Sequence, residues 1–174
     1  LLILIPRPTA MSFYLLNVTL HVLAALLWLG GMFFLAAVGA PVLRAVEPPA
    51  LRAELFRRLG AGFRTVGWAC IALLLVTGTL NLHFHGVLRA DALLNAEFWA
   101  GRYGQTLAWK LAAVTVMVAV SAVHDFALGP LASRLPAGSA QALRARRWAA
   151  WLARVNALVG IVLVLAAVRL ARGG

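Results

Sequence analysis

Charged residues divide this chain into long apolar runs. Between Arg7 and Arg44 there is no Asp, Glu, Lys or Arg. A second uncharged run lies between Arg64 and Arg89. A third starts near Tyr103 and reaches about His124, interrupted only by Lys110, and a fourth extends from Arg147 to Arg169, interrupted only by Arg154. A membrane-spanning helix needs ~20 apolar residues. In lipid the backbone must satisfy its own hydrogen bonds, and none of the runs alternates polar with apolar as a strand would. The pattern therefore predicts an all-α integral membrane protein, with helices over about 12–43, 65–85, 103–128 and 147–170. Residues 1–174 then form a single four-helix transmembrane domain, a four-helix bundle.

The stretches between the runs have characters of their own. Pro48-Pro49 breaks the chain, after which Leu51, Leu55 and Leu59 recur at i, i+4 and i+8. This predicts a short amphipathic helix over 50–60 on the inner membrane surface, its arginines toward anionic lipid. Asp91, Asn95 and Glu97 mark an outer loop between Arg89 and Arg102. Met11 is a plausible start, which would make Leu1–Ala10 an upstream extension, and the first apolar run is too long for a signal-peptide core. No internal repeat, low-complexity tract or interdomain linker is evident.

Composition narrows the function classes. Of 174 residues, 63% are hydrophobic and 12% charged, with mean hydropathy +0.91. Soluble domains carry about 45–50% apolar and about 25% charged residues, so a soluble enzyme is excluded. The single cysteine, Cys70, excludes an internal disulfide and any Cys-based zinc or iron–sulfur centre. The net charge of +11 points to topology and lipid headgroups rather than nucleic acid. Nine arginines flank the first and third connections and five the opposite side. The expected protein is thus a multi-pass protein of the bacterial inner (cytoplasmic) membrane with both termini outward. No P-loop, nucleophile elbow, His-Glu-x-x-His or carboxylate dyad occurs, so no catalytic residue is assigned.

Polar groups inside the runs carry the chemistry, because they are costly in lipid and usually face the protein interior. His21 lies roughly 10–12 Å below the outer surface at 1.5 Å per residue. His83 and His85 close the second helix at the same end, and Lys110 is about two turns into the third. Neutral imidazole ligates copper, zinc and haem iron. If the chain unwinds at Gly86, His83 and His85 fall on one side, and His21 completes a three-histidine copper site. Alternatively, His21 ligates haem b axially, opposite a histidine of helix 2 or Lys110. Against these stand plainer readings: interfacial histidines anchor helices, and Lys110 can snorkel to the surface. Trp28 shares a face with His21 and is a possible cofactor contact, although Gly30-Gly31 beside it indicates close helix packing. Asp125 and Arg154 are expected to form an inner-side ion pair, with His124 nearby. Met11, Met32 and Met117 are scattered and make no thioether ladder for Cu(I), which counts against a dedicated transport path.

Several stretches together resemble the copper-resistance D (CopD) family of membrane proteins. They are His21 with Trp28-Leu29-Gly30-Gly31, then Phe63-Arg64 followed by Leu75-Val76-Thr77-Gly78-Thr79-Leu80-Asn81. The most specific is Tyr103-Gly104-Gln105-Thr106-Leu107-Ala108-Trp109-Lys110-Leu111, continuing to Ser121-Ala122-Val123-His124-Asp125-Phe126. The opening helix is also similar to that of HemJ-like proteins. The first resemblance implies copper handling at or across the inner membrane. The second implies a b-type haem held by His21 with Lys110 nearby, and electron transfer or an oxidase activity. The resemblance spans about Thr19 to Phe126. A single four-helix unit is smaller than many members, so partners in a homo-oligomer or a larger membrane complex are expected. A cofactor-free accessory subunit is the third reading.

Overall fold

A computed structural model describes residues 8–135 and 139–173. The expected extension over Leu1–Ala10 lies largely outside them. The elements are α1 (Pro8–Phe34), a π-turn (Leu35–Gly39), α2 (Ala40–Arg44), α3 (Pro49–Phe84), α4 (Ala90–Leu93), α5 (Ala96–Ala100), α6 (Arg102–Ala122), a second π-turn (Val123–Leu128), α7 (Gly129–Arg134) and α8 (Ala140–Ala171). There is no strand among the described residues. Four helical stretches are long and apolar enough to cross a membrane: Met11–Arg44, Pro49–Phe84, Arg102–Leu131 and Ala140–Ala171. Between 11% and 17% of each apolar window is buried within the protein. Side chains such as Phe13, Leu26 and Leu165 are more than half exposed, a surface that suits hydrocarbon and not water.

The chain divides into two compact units, Leu1–Leu94 and Asn95–Gly174. In the first, α1 packs along α3; in the second, α6 and α7 pack along α8. The separate surface helix expected over 50–60 does not form. Those residues are the opening turns of α3, which runs unbroken from Pro49 to Phe84. Pro49 suits the first helical position, and Gly60 and Gly62 each cost only about 1 kcal/mol in a helix interior. No proline follows to stop the chain, so it continues. Glu54 clamps these turns through Arg57 and Arg58, each at 2.6 Å. Likewise α8 begins at Ala140 rather than 147, because the Ser139 hydroxyl accepts the Ala142 amide at 3.1 Å and caps it. The stretch expected as an outer loop holds α4 and α5, the latter capped by Asn95, whose side-chain oxygen accepts from the Glu97 and Phe98 amides.

Both π-turns precede a proline. The Ala40 amide reaches back to Leu35 O, and the Gly129 amide to His124 O, immediately before Pro41 and Pro130. A proline in a helix lacks the donor and its ring meets the carbonyl four residues back. Widening the preceding turn by one residue relieves that clash.

The two units share one plan, contrary to the expectation of no repeat. Each is a spanning helix, a π-turn, a proline, a short helix that ends in an arginine (Arg44 and Arg134) and a returning helix. The separation of Pro41 from Pro130 also separates Asn17 from Thr106, His21 from Lys110, Trp28 from Met117, Gly67 from Asn156 and Ile71 from Gly160. Both members of every one of these pairs, from Asn17 onward, are buried or half-buried. What repeats is placement rather than residue identity.

Candidate functional site

The face of α1 that meets α3 is written at spacings of four and three: Asn17, His21, Ala24, Trp28, Gly31. That is the stripe one helix needs to stay against another. Down the seam, the ring of Phe63 fills the space a side chain on Gly31 would occupy. Trp28, 5% exposed, lies on Gly67. His21 meets Thr77 and Gly78, and Asn17 meets Thr77 and Asn81. Because partners on α3 fall in number as those on α1 rise, the two helices are antiparallel.

Polar groups here are paired closely. Asn17 Nδ2 donates to Thr77 O at 3.0 Å and to Asn81 Oδ1 at 2.8 Å, which uses both its hydrogens. Thr77 Oγ1 lies 2.6 Å from Leu73 O and 2.7 Å from His21 Nδ1. A carbonyl only accepts, so the one hydroxyl hydrogen goes to Leu73 O. His21 Nδ1 must then carry the hydrogen and donate to Thr77 Oγ1, which assigns the lone pair of the neutral ring to Nε2. A partner that fixes one ring nitrogen and thereby aims the other is how proteins orient ligating histidines.

His83 and His85 do not form the expected clamp. α3 stays helical through Phe84, and the chain leaves it by a Schellman cap instead of an extended stretch. The Val87 amide donates to Leu82 O at 3.0 Å and the Gly86 amide to His83 O at 2.9 Å, with Gly86 at φ 71°. Side chains two apart on a helix point ~200° away from each other. His85 Nδ1 donates to Asn81 O at 2.8 Å, and its ring sits edge-on to Tyr14 at 6.0 Å. His83 is exposed, beside Phe84. Among the described residues no group of three or more His, Cys, Asp or Glu is placed to hold a metal ion.

The remaining candidates fall elsewhere. Trp28 is two turns from His21 and packed into the seam. Lys110, on α6, is half-buried and has no hydrogen-bond or ion-pair partner among the described residues. Asp125 takes His124 at 2.7 Å within the second π-turn, and Arg154 is exposed on α8. Adjacent residues in a widened turn reach one another more easily than residues on two helices, so the expected Asp125–Arg154 pair gives way to this one.

Sequence reasoning assigned no site role to Asn17, Thr77 and Asn81, or in the second unit to Ser121 and Asn156. A signal was present: Asn17 and His21, and Thr77, Asn81 and His85, lie four apart, the spacing of one helix face. The family model described as "Copper resistance protein D" matches residues 57–170. The chain belongs to the copper resistance protein D family. The matched stretch begins within α3 and leaves out α1, which carries His21. An "Uncharacterized protein" of Aquifex aeolicus (strain VF5) is 32% identical over 155 residues, covering 88% of this chain and 92% of the relative. No solved structure matches the chain.

Proposed function

We propose that this CopD family membrane protein handles copper in the bacterial inner membrane, with His21 as its intramembrane ligand near the outer face. What carries this reading is the hydrogen bond from His21 Nδ1 to Thr77 Oγ1 at 2.7 Å. It holds the imidazole in one orientation with Nε2 as the ligand atom. Imidazole suits copper, and Asn17 and Asn81 keep the approach to His21 polar. His85, at the outer end of the same face, is the residue that a metal ion entering along this seam meets first. One imidazole is an incomplete coordination shell, so a second copy of the chain or a larger complex supplies the rest.

The test is Cu(I) titration of the purified full chain in micelles against a chromogenic chelator. The expected result is a chelator-resistant site that His21→Ala abolishes and His83→Ala leaves intact. Wild-type protein that yields all its copper to the chelator, or a His21→Ala variant that holds it equally well, refutes the reading.

One observation favours a second reading. A single imidazole, not three, is directed into the seam, and one imidazole is what one face of a b-type haem takes. In that role His21 would hold the haem, with Thr77 orienting its ring, and the haem would supply one-electron redox chemistry. A Soret band that shifts on dithionite and disappears in His21→Ala selects this reading over copper.

A further inference from the structure

The second unit gathers positive charge that the chain itself does not answer. From Phe126 to Gly174 there is no Asp or Glu, while seven arginines occur. Arg144, Arg146 and Arg147 lie in the opening turns of α8 and have no ion-pair or hydrogen-bond partner among the described residues. In the first unit, by contrast, Arg52, Arg57 and Arg58 are matched by Glu47 and Glu54. Cations three apart on a helix, as Arg144 and Arg147 are, repel each other. A bound anion removes that cost.

Beside these arginines lies an apolar groove. One wall is Leu128, Leu131 and Leu135, at spacings of three and four from the second π-turn through α7. The other is the α8 face that carries Gln141, Arg144 and Trp148 at the same spacings. Leu131 is 47% exposed and Trp148 58%, so the groove is open to its surroundings. Both walls belong to the ends of apolar spans, Arg102–Leu131 and Ala140–Ala171. Trp148 lies one turn, ~6 Å, further into the span than Arg144, and Trp151 sits edge-on to it at 5.7 Å. Exposed indoles at the end of a span mark the membrane interface, where the ring meets acyl chains and the N–H meets headgroups.

The order along α8 is donor and cation, then aromatic, then apolar helix. A phospholipid has the same order from phosphate to acyl chain. A guanidinium binds phosphate oxygens through two parallel N–H donors, and the Gln141 amide adds further donors. A soluble anion would leave the leucine wall unused, and a zwitterionic headgroup brings its own cation beside the phosphate. We infer that the groove between α7 and the start of α8 seats one anionic phospholipid, its acyl chain along Leu128, Leu131 and Trp148 and its phosphate on Arg144 and Gln141. The site is separate from His21 and does not depend on the copper reading.

Native mass spectrometry of the full chain, released from mixed micelles of phosphatidylglycerol and phosphatidylcholine, tests this by counting the lipids retained. The expected result is one phosphatidylglycerol per chain, kept in preference to phosphatidylcholine. Arg144→Gln should weaken retention roughly fivefold, the effect of one arginine at an anionic surface, and Leu131→Asn should weaken it with no change of charge. Arg172→Gln removes the same charge at the far end of α8 and should retain the lipid as wild type does. Equal retention of the two lipids, the result expected if a partner protein's helix fills the groove, overturns the inference. So do equal losses in Arg144→Gln and Arg172→Gln, which would reduce the effect to diffuse attraction by net charge. Displacement of the lipid by equimolar inorganic phosphate overturns it too, because the leucine wall would then have no role. Arg144 and Leu131 are exposed, so both variants should fold; if the helix content of either falls, Gln141→Leu, which should also weaken retention, decides in its place.

Discussion

Replacing Thr77 by Val keeps the shape of the side chain and removes a single oxygen. That oxygen accepts the hydrogen on His21 Nδ1 at 2.7 Å, so in Thr77→Val the donor stays in the seam with its acceptor gone. Leaving a buried donor unsatisfied costs about 1–3 kcal/mol. Hydrogen bonds between membrane helices measure lower, ~0.6 kcal/mol on average and ~1.7 at most. His21 is half-buried rather than buried, which favours the lower range. The expected destabilisation is about 1 kcal/mol, roughly fivefold in the folded-to-unfolded ratio.

The effect on ligand binding is larger, because the ring loses its orienting partner. Such losses cost on the order of 10–100-fold in metal affinity. Thr77→Ser keeps the hydroxyl and should retain affinity within about threefold, well short of the loss for a removed partner. Copper competition and denaturation in mixed micelles read the two quantities separately. Wild-type affinity and stability in Thr77→Val refute the reasoning. Equal losses in Val and Ser variants place the effect in methyl packing and not in the hydroxyl.

Three further outcomes follow from the packing. Gly31→Ala drives a methyl into the ring of Phe63 and should lower stability by about 1–3 kcal/mol, with Phe63→Leu in the same chain restoring most of it in a denaturation assay. Gly104→Ala is worse, since the new Cβ meets the Phe98 carbonyl and comes within 2.8 Å of Trp99 Cα. Backbone cannot swing aside, so its loss should exceed that of Gly31→Ala, and an equal or smaller loss counts against the close α5–α6 turn. Breaking the Ser121–Asn156 bond by Ser121→Ala alone should destabilise the second unit, whereas adding Asn156→Leu should recover stability, since removing both partners is near neutral; a double variant less stable than the single contradicts this.

The helices were legible because lipid leaves the chain little choice. Runs without charge, and the arginines that bound them, mark where a helix crosses. Chemistry was legible only as residue types. His21 was correctly expected to sit inside a helix, but the identity of its partner was not, since Thr77 lies on another helix and hydroxyls are common in such runs. His83 and His85 show the opposite error. A glycine after two histidines is compatible with unwinding or with a helix cap, and the Gly86 amide chose the cap by bonding to His83 O. The shared plan of the two units was invisible because Lys110 stands where the first unit has His21, and Asn156 where it has Gly67. Burial, the two π-turns and the prolines that follow them align the units.

Sequence alone determined the membrane as solvent, the number of crossings and the helical class, because the cost of exposing backbone to hydrocarbon exceeds any local preference. Tertiary structure decided which polar groups meet. Hydrogen bonds of 2.7–2.8 Å between helices depend on the register and rotation of one helix against another. That register comes from glycines and rings interlocking across a seam, as Gly31 with Phe63 and Gly67 with Trp28 do. Hydrophobic patterning selects the face a helix buries, and close packing of particular shapes selects the partner each side chain finds there.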